Sequence, residues 1–151
     1  VSGADLTDWS TVGRKSRRRG ADAERAVVAF LREQGWPDAR RYLAGDGRQP
    51  GDLDWVPIVV LEVKDVASSA WPAWCRQAAA VAGEHQVPVV VRRTRGVPDV
   101  GAWKIRARWI DWMETFGSPT EVYVEVVEVD GRAWLRATMA DLVAAVRGVD
   151  Q

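Results

Sequence analysis

The sequence is poor in the residues on which much enzyme and metal chemistry relies. A single cysteine, Cys75, excludes an internal disulfide and any zinc site built from several thiolates. A single histidine, His85, excludes paired-histidine metal motifs and argues against a Ser-His-Asp triad. No run approaches the roughly 18 apolar residues of a membrane span. The first residues lack the apolar stretch of a secretory signal. The expectation is a cytoplasmic protein, in a bacterial cell or phage-infected host, with no membrane partner. The hard-metal ligands present in quantity are the 21 Asp and Glu carboxylates, and carboxylates suit magnesium, with manganese as its natural substitute.

What is present fits one domain. The chain has 151 residues and is 47% hydrophobic, enough for a core without covalent staples. Net charge is zero, so whole-chain charge says nothing about nucleic acid, but the charges are segregated. Arg14, Lys15, Arg17, Arg18 and Arg19 form one basic cluster, Arg40, Arg41 and Arg48 follow, and Arg92, Arg93 and Arg95 form another. Acid collects at Glu121, Glu125, Glu128 and Asp130. A neutral chain arranged this way can still offer a basic face to a phosphate backbone; the alternative is that the arginine runs are solvated surface.

Along the chain, residues 1–12 read as a loose leader. Residues 21–34 read as a helix, with Ala23, Ala26, Val27, Phe30 and Leu31 on one face. Gly35 ends it and Pro37 prevents its resumption. Residues 39–43 suggest a strand and 44–51 a glycine-rich loop. Residues 52–55 suggest a short strand, and Ile58 to Val63 a central strand buried on both faces. A second helix is expected over 71–86, with Pro72 in its first turn, then a strand over 88–92. Residues 103–116 read as a strand followed by a short helix from about Ile110. Residues 121–129 alternate as a half-exposed strand, Asp130-Gly131 is a hairpin turn, 132–138 returns as a strand, and 140–147 closes as a helix. The order predicts an α/β fold with a mixed central sheet flanked by helices. The segment 97–120 is left open between an insertion, a dimer surface and a DNA clamp.

Glu62 and Lys64 interrupt the most apolar strand. Their spacing puts both side chains on one face. Burying a carboxylate and an ammonium there is costly unless they pair with each other, or serve a site. If residues 55–57 form a three-residue loop, Asp54 faces Ile58 and Asp52 faces Val60, and both aspartates share the face of Glu62. Converging carboxylates repel each other, and a divalent cation relieves the repulsion; a neighbouring lysine can orient an attacking water. This kit suffices for phosphodiester hydrolysis without histidine. A solvent-facing Glu62–Lys64 ion pair and simple turn roles for Asp52 and Asp54 are the alternatives.

Pro50-Gly51-Asp52 followed by Glu62-Val63-Lys64 resembles the PD-(D/E)xK nuclease motif. Gly20-Ala21-Asp22-Ala23-Glu24-Arg25, with the apolar face after it and Gly35-Trp36, resembles the opening of archaeal Holliday-junction resolvases and their phage relatives. Gln77 matches a frequent family glutamine, and Val89 to Arg92 resembles the next strand. The likeness covers residues 13–95; it departs where Gly51 splits the usual proline-aspartate and where the Asp52–Glu62 gap is short, which leaves Asp52 against Asp54 open. The resemblance implies a restriction-endonuclease-like fold and a magnesium-dependent endonuclease, with Asp52, Glu62 and Glu24 at the metal. Lys64 and Gln77 would complete the catalytic set. Arg14, Lys15, Arg17, Arg18, Arg19, Arg25, Arg40 and Arg41 would contact DNA. It further implies a homodimer acting on branched DNA, four-way junctions above all. A general repair or replication nuclease cutting flaps, ends or duplex, and a non-catalytic DNA-binding module, are the alternatives.

Trp71, Trp74, Trp109 and Trp112 read as core packing, with stacking on a splayed base as the other possibility. Cys75 reads as a buried small hydrophobe, and His85 as structural or exposed.

Overall fold

The computed structural model describes residues 2–42, 51–119 and 125–149, with side chains from residue 18 onward. Residues 43–50 and 120–124 lie outside it. These hold Arg48, most of the expected glycine-rich loop and the start of the expected acidic strand.

The first element overturns the expected leader. Helix α1 runs without a break over Ser2–Glu33. No proline occurs in that stretch, and Gly3, Gly13 and Gly20 each weaken a helix without ending it. It stops where anticipated: Gly35 takes φ 113°, and the Trp36 N–H turns back to the Leu31 carbonyl at 3.1 Å. Ala23, Val27 and Leu31 are fully buried, one helical face as the spacing requires.

Strands β1 (Arg40–Arg41) and β2 (Leu53–Asp54) make a short antiparallel ribbon. The main sheet has five strands: β3 (Val59–Lys64), β4 (Val87–Arg92), β5 (Lys104–Arg108), β6 (Glu125–Val129) and β7 (Arg132–Thr138), in the order β3-β4-β5-β7-β6. β3 and β4 are parallel and the remaining pairs antiparallel. The sheet is therefore mixed, as the element order predicts. Helix α2 (Trp71–Val81) is the crossover between the parallel strands. It ends five residues earlier than the spacing suggests, because Gly83 and Gln86 close a turn in which Gly83 N–H donates to the Gln86 side chain at 2.7 Å.

Two expectations are corrected here. β3 is buried on both faces but stands at the edge of the sheet, not its centre; continuous apolar patterning reports burial, not strand neighbours. The segment 97–119 is no insertion. It supplies β5, the middle strand, and α3 (Trp109–Phe116). Strand β6 begins within the described residues at Glu125, and α4 (Met139–Val149) is the last element among them.

Strand alternation divides the sheet into two faces. Val59, Leu61 and Val63 of β3, Val87, Val89 and Val91 of β4, Ile105 of β5 and Leu135 of β7 point into the main core with α1, α3 and α4. The other face meets α2, where Trp74 and Ala78 lie on Val90, and Cys75 packs with Val129 and Trp134. Trp112 joins the main core, Cys75 is fully buried, and burial pushes its thiol up to about 11. His85 is exposed in the turn after α2 with φ 67°. At Asp130-Gly131 both residues take positive φ, 53° and 75°, as a type I′ hairpin requires. No helix among the described residues is long and apolar enough to cross a membrane.

Candidate functional site

Counted over the whole residue, backbone included, Glu62 is the one buried charged residue among the described residues, 5% exposed on β3. Even-numbered positions of β3 face α2, so Glu62 and Lys64 share that face, as their spacing demands. They do not make an ion pair. Lys64 Nζ instead donates to Gln77 Oε1 of α2 at 2.8 Å, so the crossover helix fixes the ammonium.

Asp52 arrives from the outer side of β3. Its backbone N–H donates to the Leu61 carbonyl at 2.9 Å, and its Oδ2 accepts the Val63 N–H at 2.7 Å. The side chain thus stands in for a missing neighbouring strand and caps the sheet edge. The expected hairpin register is off by one. The turn spans residues 55–58, closed by Val59 N–H to Val56 carbonyl at 3.2 Å, so Asp52 lies against Leu61 and not Val60. Nor does β2 form a ladder with β3; it pairs with β1. Asp52 nevertheless comes close enough to Glu62 around the edge for the two carboxyls to act on each other electrostatically.

Gly51 makes this approach possible. It takes φ 80°, and a Cβ there would stand 2.9 Å from the Leu61 carbonyl oxygen. The residue that splits the expected proline-aspartate pair is required by the closeness of the two backbones. Asp54 is directed elsewhere: its Oδ2 accepts from Arg40 Nε at 3.1 Å. Of the two aspartates, the structure brings Asp52 to Glu62.

Electrostatics mark the cluster as costly. Burial, with the Asp52 carboxylate beside it, pushes the Glu62 carboxyl up to about 7. Glu24, on α1, is held above its ordinary value chiefly by burial, against the opposing effect of its hydrogen bond from Arg41, and Asp52 adds to the rise. Carboxyls held above their ordinary values by burial and by a neighbouring carboxylate are a recognised mark of functional sites. Arg41 Nε donates to Glu24 Oε2 at 2.7 Å.

Comparisons with protein families, curated proteins and solved structures find no match to this chain. The site is therefore judged on its own chemistry. Asp52 and Glu62 fit a divalent cation, since two apposed carboxyls, one of them raised by burial, are relieved by a positive charge between them. Glu24 is tied to Arg41, and among the described residues no three Asp, Glu, His or Cys side chains already stand together as a metal cage.

Of the remaining residues assigned to the site by sequence, Gln77 lies beside Lys64. Arg25 forms an exposed pair with Asp22 at 2.9 Å. With Arg32, Arg40 and Arg41 it lines an open cleft of about 560 Å³. Arg18 and Arg19 are exposed on α1; Arg14, Lys15 and Arg17 lie on the same helix, their side chains outside the described set. Sequence reasoning missed the Arg41–Glu24 bond and the burial of Asp65, whose side chain is 5% exposed and faces Arg93 at 3.5 Å. A charge directly after Lys64 was the one available signal.

Proposed function

We propose that this chain is a magnesium-dependent DNA endonuclease of the PD-(D/E)xK kind, with a restriction-endonuclease-like fold, cutting branched DNA and acting as a homodimer. The observation that carries the reading is the apposed Asp52–Glu62 carboxyl pair at the sheet edge, with Lys64 two residues further on and oriented by Gln77. Asp52 and Glu62 would hold the metal, with manganese able to substitute. When bound, that ion supplies charge for the phosphoryl oxygens and a lowered pKa for water.

The chain's own groups do the rest. Val63 N–H fixes the Asp52 carboxylate. Gln77 holds the Lys64 ammonium so that it can hydrogen-bond the attacking water or the scissile phosphate. Glu24 joins the site if phosphate draws Arg41 from it, leaving the carboxylate to hold water or a second ion. Arg25, Arg40 and Arg41 on the adjoining cleft, with the basic run from Arg14 to Arg19 on α1, provide phosphate contacts. Two symmetric cuts across a four-way junction call for two copies of the chain.

Cleavage of a four-way junction with magnesium tests the assignment. Asp52→Ala and Glu62→Ala are each expected to lower the rate by about a hundredfold or more, as losing a group that organises transition-state charge does. Cutting that survives both substitutions removes the site. Flap and linear duplex substrates run alongside; equal rates on all three indicate a general repair or replication nuclease on the same chemistry.

One observation favours a second reading, a DNA-binding module without turnover: the Glu24 carboxylate is already engaged by Arg41. Salt-sensitive, magnesium-independent binding with no cutting of any DNA is its signature.

A further inference from the structure

Beyond Lys64 the same sheet face carries a second basic feature. Lys64 is in register with Arg92 of β4, Arg92 with Lys104 of β5, and Lys104 with Thr138 of β7. Neighbouring strands are about 4.8 Å apart, so this row leads away from the candidate site by about 15 Å. Arg92, Arg93, Arg95, Lys104 and Arg136 line a cleft of about 440 Å³ here, with Trp71 in its wall. Trp71 also walls a neighbouring cleft of about 230 Å³, which shares Lys104 and Arg136 and adds Arg106.

The balance of charge is positive. Six cations line the two clefts. The carboxylates that face them are Asp65 on Arg93, Glu125 on Arg136, and Asp141, which accepts from the Thr138 N–H and hydroxyl. Arg92, Arg95, Lys104 and Arg106 have no ion-pair partner within 4 Å among the described residues. Arg92 spends one guanidinium nitrogen on the Val66 and Ala67 carbonyls. Trp71 is half-buried and braced, edge to face with Trp74 at 5.2 Å and with the Arg106 guanidinium 4.6 Å from its ring centroid. A rigid aromatic wall among surplus cations matches what an unpaired strand needs: charge along its backbone and a platform for a base. A duplex keeps its bases stacked inside and cannot use a ring set into a cleft.

We propose that this Trp71-walled cleft binds single-stranded nucleic acid, and that, in a branched substrate that carries an unpaired strand beside the scissile phosphate, it receives that strand. The second half of the statement rests on the nuclease reading; the binding itself does not.

The test measures fluorescence anisotropy, in chelator, of a four-way junction with and without an oligothymidylate tail of about 12 nucleotides, a length within known single-strand site sizes. The wild-type chain is expected to bind the tailed junction about tenfold more tightly. Trp71→Ala should abolish that gain. Because Trp71 also packs on Trp74, the exposed pair Lys104→Gln with Arg95→Gln provides a second variant that leaves the core untouched. It should lower the salt dependence of tail binding by about 1.4 in log–log slope, as two lost phosphate contacts on a single strand imply.

Equal affinity for tailed and untailed junctions overturns the proposal. So does a loss in the variants that is the same for both substrates, which marks the cleft as a duplex-phosphate surface. Magnesium-dependent cutting is scored in parallel. Tail preference without cutting supports the cleft and rejects the nuclease reading, whereas cutting without tail preference rejects the cleft alone.

Discussion

Glu62 concentrates the energetic tension of the molecule in one side chain. Its carboxyl ordinarily titrates at 4.5 and is raised to about 7 in the fold by burial and by Asp52. Between those values the folded chain binds more protons than the unfolded one, so stability falls as pH rises through the interval and levels off above about 7. In chelator, thermal unfolding should therefore show a less stable protein at about pH 8 than at about pH 5, by at most about 3 kcal/mol for a shift of this size. Glu62→Gln should flatten this part of the profile and raise stability at the higher pH. A wild-type profile that matches that of Glu62→Gln would show that the carboxyl is not under strain. The sequence makes Glu62 and Lys64 legible because charge inside a β-branched run stands out. The Asp52 choice was not legible, since Asp52 and Asp54 differ only in what lies beside them. The Arg41–Glu24 bond was equally hidden: it joins residues 17 apart in sequence, and no periodicity announces such a pairing.

At the scale of elements, most boundaries follow from the sequence for local reasons. The Asp130-Gly131 turn, the Pro72 start of α2 and the β5-to-α3 transition each rest on backbone preference or side-chain spacing within a few residues. The failures are non-local. The edge position of β3 depends on the order in which strands assemble, and the register of Asp52 depends on one extra residue in the turn before β3. Gly51 ties these together. Gly51→Ala forces an L residue to φ 80° and drives its Cβ into the Leu61 carbonyl. The conformational strain alone costs about 1–2 kcal/mol. The chain before β3 must then withdraw, taking Asp52 with it. The expected outcome is a lower melting temperature together with lost junction cleavage, whereas Gly20→Ala, on a helix with open space around it, should leave both intact. Full cleavage by Gly51→Ala would mean that Asp52 needs no such approach.

Across the whole molecule, a net charge of zero conceals a strongly uneven distribution. One sheet face is sealed by α1, α3 and α4. The other is only partly covered by α2 and carries Glu62, Lys64, Arg92, Lys104, Arg106 and Arg136 in adjoining rows. Single-chain charge counting could not see this, because neighbours in the sheet come from β3, β4, β5 and β7, spread over most of the sequence. The Asp52–Glu62 pair sits at an edge strand of the sheet, where a strand has the fewest partners. The β4 amides at Val89 to Val91 are held inside the sheet, whereas the Val63 amide is held by the Asp52 carboxylate alone. In deuterated solvent Val63 should therefore exchange quickly in Asp52→Ala and slowly in the wild type, with Val89 to Val91 unchanged. Magnesium drawn to Asp52 would compete for the same oxygens, so a single backbone proton becomes a readout of the ion's arrival, independent of any DNA being cut.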